Sequence, residues 1–123
     1  MTEAFMEDYR DLVVWQRSME LVAHVYGLTK QLPKEETFAL SNQLRRAVVS
    51  IPSNIAEGYG RNSKQDYLRF LNIARGSKNE VETQLQICLM LDYLRPEDAA
   101  EAQVLCAEVG KMLNALIHSI GNS

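Results

Sequence analysis

A chain of 123 residues with 46% hydrophobic and 24% charged residues has the length and composition of one folded globular domain, which excludes a disordered protein. Its formal net charge of −3 excludes a uniformly basic nucleic-acid-binding protein. Six glycines and three prolines are few, and no segment alternates polar and apolar residues, so the sequence argues against an all-β fold.

The first predicted helix covers residues 12–32. Its apolar residues recur every three or four positions in two neighbouring rows, which is the period of an α-helix. Pro33 ends the helix because the residue before a proline disfavours helical geometry. The two rows are Trp15, Met19, Val22 and Tyr26, and Leu21, Val25, Leu28 and Leu32.

The second predicted helix covers residues 34–58 and is kinked at Pro52. A proline inside a helix removes one hydrogen-bond donor and clashes with the preceding turn, so the helix bends there. The side chains of Ser50, Ser53 and Asn54 are available to bond the freed backbone groups. A glycine ends the helix, as is common. The apolar residues that predict this helix are Leu40, Leu44, Val48, Ile51 and Ile55.

The third predicted helix covers residues 63–94. Ser63 is the expected N-cap, and Asp66 follows three residues later near the positive end of the helix dipole. One side of the helix is apolar and faces the core. The residues on that side are Tyr67, Phe70, Ala74, Val81, Leu85 and Cys88.

Near its end, the third helix has apolar residues on a second side as well. The residues on or beside the outer face, at positions i, i+3, i+4 and i+7, are Ile87, Met90, Leu91 and Leu94. One bundle can cover only part of such a surface, and a large exposed apolar stripe is usually covered by a partner. We therefore predict that Ile87, Met90 and Leu94 form an interface between copies of the chain.

The fourth predicted helix covers residues 97–120, with Glu97 and Asp98 in its first turn. Its apolar residues also repeat with helical spacing. Four amphipathic helices with short connections predict an all-α fold, an antiparallel up-down four-helix bundle in which residues 1–123 form a single domain. The apolar row of the fourth helix is Ala102, Leu105, Val109, Met112, Leu116 and Ile120.

Charge is distributed unevenly along the chain. Residues 1–40 carry 4 basic and 7 acidic side chains, residues 41–79 carry 7 and 2, and residues 80–123 carry 2 and 7, so a segment of +5 lies between flanks of −3 and −5. The basic segment is a candidate surface for RNA or DNA. Alternatively, its cations form ion pairs within the bundle or with a neighbouring subunit. The candidate nucleic-acid-binding residues are Arg45, Arg46, Arg61, Lys64, Arg69, Arg75 and Lys78.

The sequence predicts a cytoplasmic protein. No apolar run approaches the roughly 20 residues that cross a bilayer. Glu3, Glu7 and Asp8 stand where a secretory signal has basic and then apolar residues. Cys88 and Cys106 have apolar neighbours in sequence, which is typical of buried, reduced thiols rather than of a redox pair.

The sequence gives no local sign of a cofactor or a metal site. Residues 58–63 are similar to the start of a glycine-rich phosphate loop but lack the preceding strand and the third glycine. Neither His24 nor His118 has a glutamate three residues before it, as di-iron bundles require. The two cysteines do not have the paired spacing of zinc modules.

Three carboxylates leave an enzyme as an alternative. Glu57 on the second helix and Glu80 and Glu82 on the third are candidates for general acid and base in a cleft formed by the bend at Pro52. Their other role is ion pairing with arginines at the seams between helices. Because we expect the second role, we predict that the protein is not an enzyme.

Several stretches closely resemble one protein family. They are DLVVWQ at residues 11–16, QLRRA at 43–47, SIPSNIAEG at 50–58, FLNIARGS at 70–77 and EVET at 80–83. The family consists of bacterial four-helix-bundle proteins encoded in intervening sequences of 23S ribosomal RNA genes, also called S23 ribosomal proteins. The resemblance does not extend to the fourth helix.

The resemblance implies a left-handed four-helix bundle that assembles into a ring of five subunits and has no known catalysis. Related accessory proteins of diversity-generating retroelements are similar to the same bundle and are thought to bind nucleic acid and a reverse transcriptase through a basic surface. This chain departs from them in its pI of about 5.4, because only residues 41–79 are basic.

We therefore predict a non-catalytic homo-oligomeric scaffold that binds RNA, DNA or a nucleic-acid enzyme and has no cofactor. A purely structural protein–protein assembly is the first alternative, and an enzyme that uses the three carboxylates is the second. A gene inside a ribosomal RNA intervening sequence, or beside a reverse transcriptase gene, would favour the scaffold.

Overall fold

The computed structural model describes residues 8–123 and contains four α-helices and two short 3₁₀ helices. No strand occurs in this part of the chain, so the predicted all-α fold is confirmed. Glu3 and Glu7, on which the prediction of a non-secreted protein depended, lie outside the described residues. The helices are α1 (Val13–Thr29), α2 (Leu40–Tyr59), α3 (Lys64–Met90) and α4 (Pro96–Gly121), with 3₁₀ helices at Tyr9–Asp11 and Lys34–Glu36.

The four helices pack as a bundle around one core. Each helix packs against its neighbours in the sequence, and α4 also packs against α1, whereas in residues 8–123 no Cα atoms of the diagonal pairs α1–α3 and α2–α4 lie within 8 Å of each other. Only residues 60–63 join α2 to α3, and residues 91–95 join α3 to α4. Such short connections between packed neighbours favour the antiparallel up-down order.

The connection between α1 and α2 is longer than the sequence predicts. α1 ends at Thr29 instead of residue 32, and the backbone after it continues in i to i+3 hydrogen bonds. α2 begins at Leu40 instead of residue 34. The Glu36 carboxylate accepts the Leu40 N–H at 3.2 Å and the Tyr93 hydroxyl at 2.9 Å, so it bonds the first N–H of α2 and joins this connection to the one after α3.

α3 ends at Met90, so the prediction that this helix continues to residue 94 is wrong. Asp92 has a φ of 60°, a left-handed conformation that commonly follows a helix. The N–H groups of Tyr93 and Leu94 both donate to the Cys88 carbonyl, at 2.9 and 3.4 Å. This turn directs Leu94 into the core, where 3% of its surface is exposed.

Pro52 lies inside α2, which continues through it as one helix from Leu40 to Tyr59. The Asn54 side-chain amide donates to the Ser50 carbonyl at 2.8 Å and to the Ser50 hydroxyl at 2.9 Å. The carbonyl that loses its usual partner at Pro52 is that of Val48, four residues earlier, so these bonds are not the ones expected for the freed group. The bend at Pro52 stays a prediction.

α2 and α3 approach each other closely at Gly58. A Cβ atom on this glycine would lie 2.8 Å from the Cβ of Phe70 and 3.1 Å from Cδ1 of Tyr67. Real Cβ atoms do not come so near to such neighbours, because protein interiors are close-packed. The position therefore requires a residue without a side chain.

Most of the core comes from the apolar rows that the sequence predicts. Met19 and Tyr26 of the first predicted row are exposed, however, and Leu71 and Leu113, which belong to no predicted row, are fully buried. Cys88 and Cys106 are also buried, as predicted, and both are free thiols. Within residues 8–123, no helix combines the length and hydropathy needed to cross a lipid bilayer. The cytoplasmic location stays a prediction. The largest side chains with almost no exposure are Leu21, Leu44, Ile51, Ile55, Leu71, Leu85 and Leu113.

Candidate functional site

Three of the candidate cations lie together where α2 ends and α3 begins. We call Arg61, Lys64 and Arg69 the basic corner. The Arg61 and Arg69 guanidinium groups lie over the ring of Phe70, 4.9 and 4.4 Å from its centroid. Ser63 caps α3 as predicted, because its hydroxyl accepts the Asp66 N–H at 3.1 Å.

Each cation of the basic corner has a partner in the chain. Arg61 pairs with Glu57 at 2.6 Å, Arg69 approaches Asp66 at 3.7 Å, and Lys64 donates to the backbone oxygen of Ser123 at 2.7 Å. Exposed ion pairs are worth only about 0–1 kcal/mol, so a stronger anion can replace these partners. The corner is therefore accessible to phosphate groups.

Two other candidate cations lie at the seam between α3 and α4. Arg75 donates to Asn114 at 3.0 Å and Asn72 at 2.6 Å. Lys78 pairs with Glu82 at 3.1 Å, and its side chain is only 13% exposed. These contacts agree with the alternative role that the sequence left open, ion pairs and hydrogen bonds within the bundle.

The last two candidate cations lie on α2. Arg45 donates to the Thr37 carbonyl at 3.4 Å, whereas Arg46 has no hydrogen bond or ion pair with any described residue. The seven cations are therefore divided among the basic corner, the α3–α4 seam and α2.

Arg46 lines a groove between α2 and α3, which we call the α2–α3 groove. It consists of two adjoining hollows of about 230 and 390 Å³ that share Gln43 and Glu80. Ser50 and Ser77 share a hydrogen bond of 2.8 Å across the first hollow. The groove is lined by Gln43, Arg46, Ala47, Ser50, Gly76, Ser77, Asn79, Glu80, Thr83, Gln84 and Ile87.

The α2–α3 groove contains a buried amide with no hydrogen bond. Gln84 is 7% exposed, and its Oε1 has no partner among the described residues. Leaving one buried polar group unbonded costs about 1–3 kcal/mol. Sequence reasoning missed this groove, because an unbonded amide is visible only once its neighbours are known.

The three carboxylates proposed as acid and base lie in separate places. Glu57 lines a hollow with Arg61, Glu80 lines the α2–α3 groove, and Glu82 lines a third hollow with Gln103. Glu57 and Glu82 form ion pairs, whereas Glu80 has no partner within residues 8–123. The structure does not bring them together in one cleft.

Only some of the residues predicted for the oligomer interface are exposed. Met90 is 72% exposed and Ile87 is half-buried, but Leu94 belongs to the core because the chain turns inwards after Asp92. The prediction that Leu94 projects outwards is therefore wrong.

Sequence reasoning missed an exposed residue on the same side of α3, Ile73. It is related to Ile87 and Met90 by the spacing of 3 and 4 residues that defines one face of a helix, so the signal was in the sequence. We call this face the α3 stripe. Its residues are Ile73, Gly76, Glu80, Thr83, Ile87 and Met90.

A second, mostly apolar groove lies between α1 and α2. Its volume is about 340 Å³. The rings of Tyr9 and Trp15 meet edge to face at one end of it, with centroids 5.4 Å apart. Met19 and Val49 are exposed on its walls.

The two cysteine thiols are buried. Burial raises the pKa of Cys88 to about 11 and that of Cys106 to about 12, so both thiols are protonated at neutral pH. Among residues 8–123, no group of three or more His, Cys, Asp or Glu side chains is placed to hold a metal ion.

Comparison with known proteins identifies a family and solved structures that are similar to this chain. The model of a family described as 23S rRNA-intervening sequence protein matches residues 10–115. A crystal structure of a protein of unknown function from the S23 ribosomal protein family of Bacteroides thetaiotaomicron is similar over 86% of this chain and 96% of its own, with 31% identity and a TM-score of 0.80. No curated protein matches significantly.

Proposed function

Because the chain belongs to the family of 23S rRNA-intervening sequence proteins, we propose that it is a non-catalytic homo-oligomeric scaffold that binds other macromolecules. The observation that carries this proposal is the α3 stripe, in which Met90 is 72% exposed and Ile73 is exposed as well. Fully burying one such side chain contributes about 1.5–3 kcal/mol. A second copy of the chain would cover these residues, and a ring of five copies is the assembly that the resemblance implies.

We expect the wild-type protein at micromolar concentration to scatter light as a multiple of its 14.0 kDa subunit mass. Replacing Ile73 and Met90 together with serine should shift the mass to that of one subunit. The thermal midpoint of the isolated subunit should change little, because both side chains already contact water. Light scattering and a thermal melt measure the two effects.

The matched control replaces two exposed apolar residues outside the α3 stripe, Val13 and Phe38, with serine. This variant should keep the wild-type mass. A wild-type mass of one subunit would contradict the proposal.

The basic corner favours a second candidate function, binding of RNA or DNA. The guanidinium groups of Arg61 and Arg69 and the ammonium group of Lys64 lie where α2 ends and α3 begins. Each is held only by weak surface contacts. A ring would repeat the corner once per subunit, which strengthens binding to one strand. A nucleic-acid enzyme is the protein partner that the resemblance implies, and it stays part of the proposal.

We expect RNA or DNA binding that falls steeply between about 50 and 200 mM salt, because phosphate contacts release counterions. Arg61→Glu with Lys64→Glu should lower the affinity at least tenfold. The matched control, Lys30→Glu with Lys34→Glu, makes the same charge change at two exposed lysines outside the corner and should have a much smaller effect. Equal losses in both variants, or no binding at low salt with the oligomer intact, would contradict binding at this corner.

A further inference from the structure

A hollow lies beside the basic corner, at the end of α2. Its volume is about 500 Å³, which falls within the range of about 300–1,000 Å³ that ligand pockets usually have. Arg61 belongs to both the hollow and the basic corner, so a group that enters the hollow lies next to the cations. We call it the corner hollow, and it is lined by Ser53, Ala56, Glu57, Gly60 and Arg61.

The corner hollow differs from the basic corner in its charge. Among its lining residues, the cation Arg61 pairs with the anion Glu57 at 2.6 Å, so the hollow is neutral overall. A carboxylate repels a phosphate group, but it accepts hydrogen bonds from N–H donors. The hydroxyl of Ser53 can donate or accept. The hollow therefore suits a neutral group with N–H donors better than it suits a second phosphate.

Flat groups for stacking lie beside the hollow. The guanidinium groups of Arg61 and Arg69 are both gathered on the half-buried ring of Phe70, at 4.9 and 4.4 Å from its centroid. The rings of Tyr59 and Tyr67 meet edge to face, with centroids 6.2 Å apart. Unpaired bases stack on aromatic rings and on arginine guanidinium planes. Cations interleaved with aromatic rings are typical of surfaces that bind single strands.

Gly60, on the wall of the hollow, is not explained by packing within the described chain. Its φ of −81° is one that any residue adopts, and not the left-handed conformation for which glycine often ends a helix. A Cβ atom there would lie 3.7 Å from the Glu57 carbonyl oxygen, which is an ordinary contact. A missing side chain does, however, let a ligand approach the backbone closely.

We propose that the basic corner binds a single strand of nucleic acid, with phosphate groups on Lys64 and Arg69 and one unpaired base in the corner hollow. The base stacks on the Arg61 guanidinium group and donates an amino N–H to the Glu57 carboxylate. Cytosine has such an amino group at N4, whereas thymine and uracil have an oxygen at that place. The inference rests on the RNA or DNA binding proposed above and adds which form of nucleic acid and which bases the corner selects.

A double helix cannot make this contact without opening. Its bases are paired and stacked, and turning one of them outwards costs free energy that a single strand does not lose. The net charge of −3 also gives little long-range attraction for a duplex. Stacking and a hydrogen bond to one base do not need such attraction.

The test measures binding of labelled oligonucleotides by fluorescence anisotropy at neutral pH and low salt. The probes are runs of about ten deoxycytidines or deoxythymidines, and the deoxycytidine run annealed to its complement. We expect the deoxycytidine run to bind about fivefold or more tightly than the deoxythymidine run, because one base contact discriminates by at least that much. The duplex should bind more weakly than the deoxycytidine run. A run of ribocytidines compares RNA with DNA, and tight binding of either cytidine run supports the proposal.

Glu57→Gln separates base recognition from phosphate binding, because the two predict opposite changes. Removing a carboxylate beside Arg61 strengthens binding that depends on phosphates alone. If Glu57 accepts from the base, the same change should weaken binding of the deoxycytidine run by about threefold or more, since bonds to a charged acceptor are the stronger ones. Glu20→Gln is the matched control, because Glu20 is similarly exposed and pairs with Arg17 on α1. It should bind like the wild type.

Gly60→Leu narrows the hollow without a change of charge, and it should remove the preference for deoxycytidine while circular dichroism shows a folded protein. If no oligonucleotide binds the folded wild type at low salt, both nucleic-acid binding and this inference fail. If the duplex binds as tightly as the single strand, if the two deoxynucleotide runs bind equally, or if Glu57→Gln binds more tightly than the wild type, nucleic-acid binding stands and recognition of an unpaired base is overturned.

Discussion

Gly58→Ala is expected to lower the free energy of unfolding by about 2 kcal/mol. The new Cβ atom would lie 2.8 Å from the Cβ of Phe70 and 3.3 Å from the backbone oxygen of Tyr67, and neither atom moves without a shift of α3. Overpacking of this kind costs about 1–3 kcal/mol, whereas the higher helix propensity of alanine returns at most about 1 kcal/mol. Urea denaturation followed by circular dichroism measures the difference.

The matched control is Gly27→Ala, because a Cβ at Gly27 would meet nothing within 4 Å. This variant should be more stable than the wild type by about 0.5–1 kcal/mol, which is the difference in helix propensity between glycine and alanine. Both measurements need the same protein concentration, since assembly stabilises the folded state. Equal stability of Gly58→Ala and Gly27→Ala would contradict the close approach of α2 and α3 at Gly58.

Leu94→Ala is expected to cost about 2–5 kcal/mol of stability, the usual range for a truncated core leucine. Leu94 is 3% exposed and packs in the core beyond the end of α3. Met90→Ala, only four residues away, should cost less than about 1 kcal/mol because Met90 is 72% exposed. Thermal and urea unfolding of the two variants at equal concentration measure this contrast.

The two variants should behave in the opposite way in assembly. Met90→Ala should weaken self-association, whereas any Leu94→Ala protein that remains folded should assemble like the wild type. A smaller loss of stability for Leu94→Ala than for Met90→Ala would contradict the position of Leu94 in the core.

The four helices could be predicted because each one carries an apolar row with the helical period. The end of α3 could not be predicted from that period, since Ile87, Met90 and Leu94 continue the pattern beyond the point where the helix stops. The left-handed conformation of Asp92 decides the end, and aspartate adopts it only where the surrounding structure favours it. Periodicity alone therefore placed Leu94 on the wrong side.

The sequence predicts the candidate site only as a segment with an excess of basic side chains. The sum of charges over residues 41–79 is in the sequence, but the bond of Arg75 to Asn114 on α4 depends on how α3 and α4 pack. Likewise, the unbonded amide of Gln84 is a property of its surroundings. The place of Ile73, by contrast, is visible in the sequence, because it continues the spacing of Ile87 and Met90 towards the start of α3.

The order in which the helices contact one another has a consequence for how the chain folds. Among the four α-helices of residues 8–123, the packed pairs α1–α2, α2–α3 and α3–α4 are adjacent in sequence, and only α1–α4 joins the two ends of the bundle. Folding therefore has to close a long loop only once, and the loss of chain entropy that this causes arises once. Low contact order of this kind is typical of helical bundles that fold in microseconds to milliseconds, with little time for exposed apolar faces to aggregate.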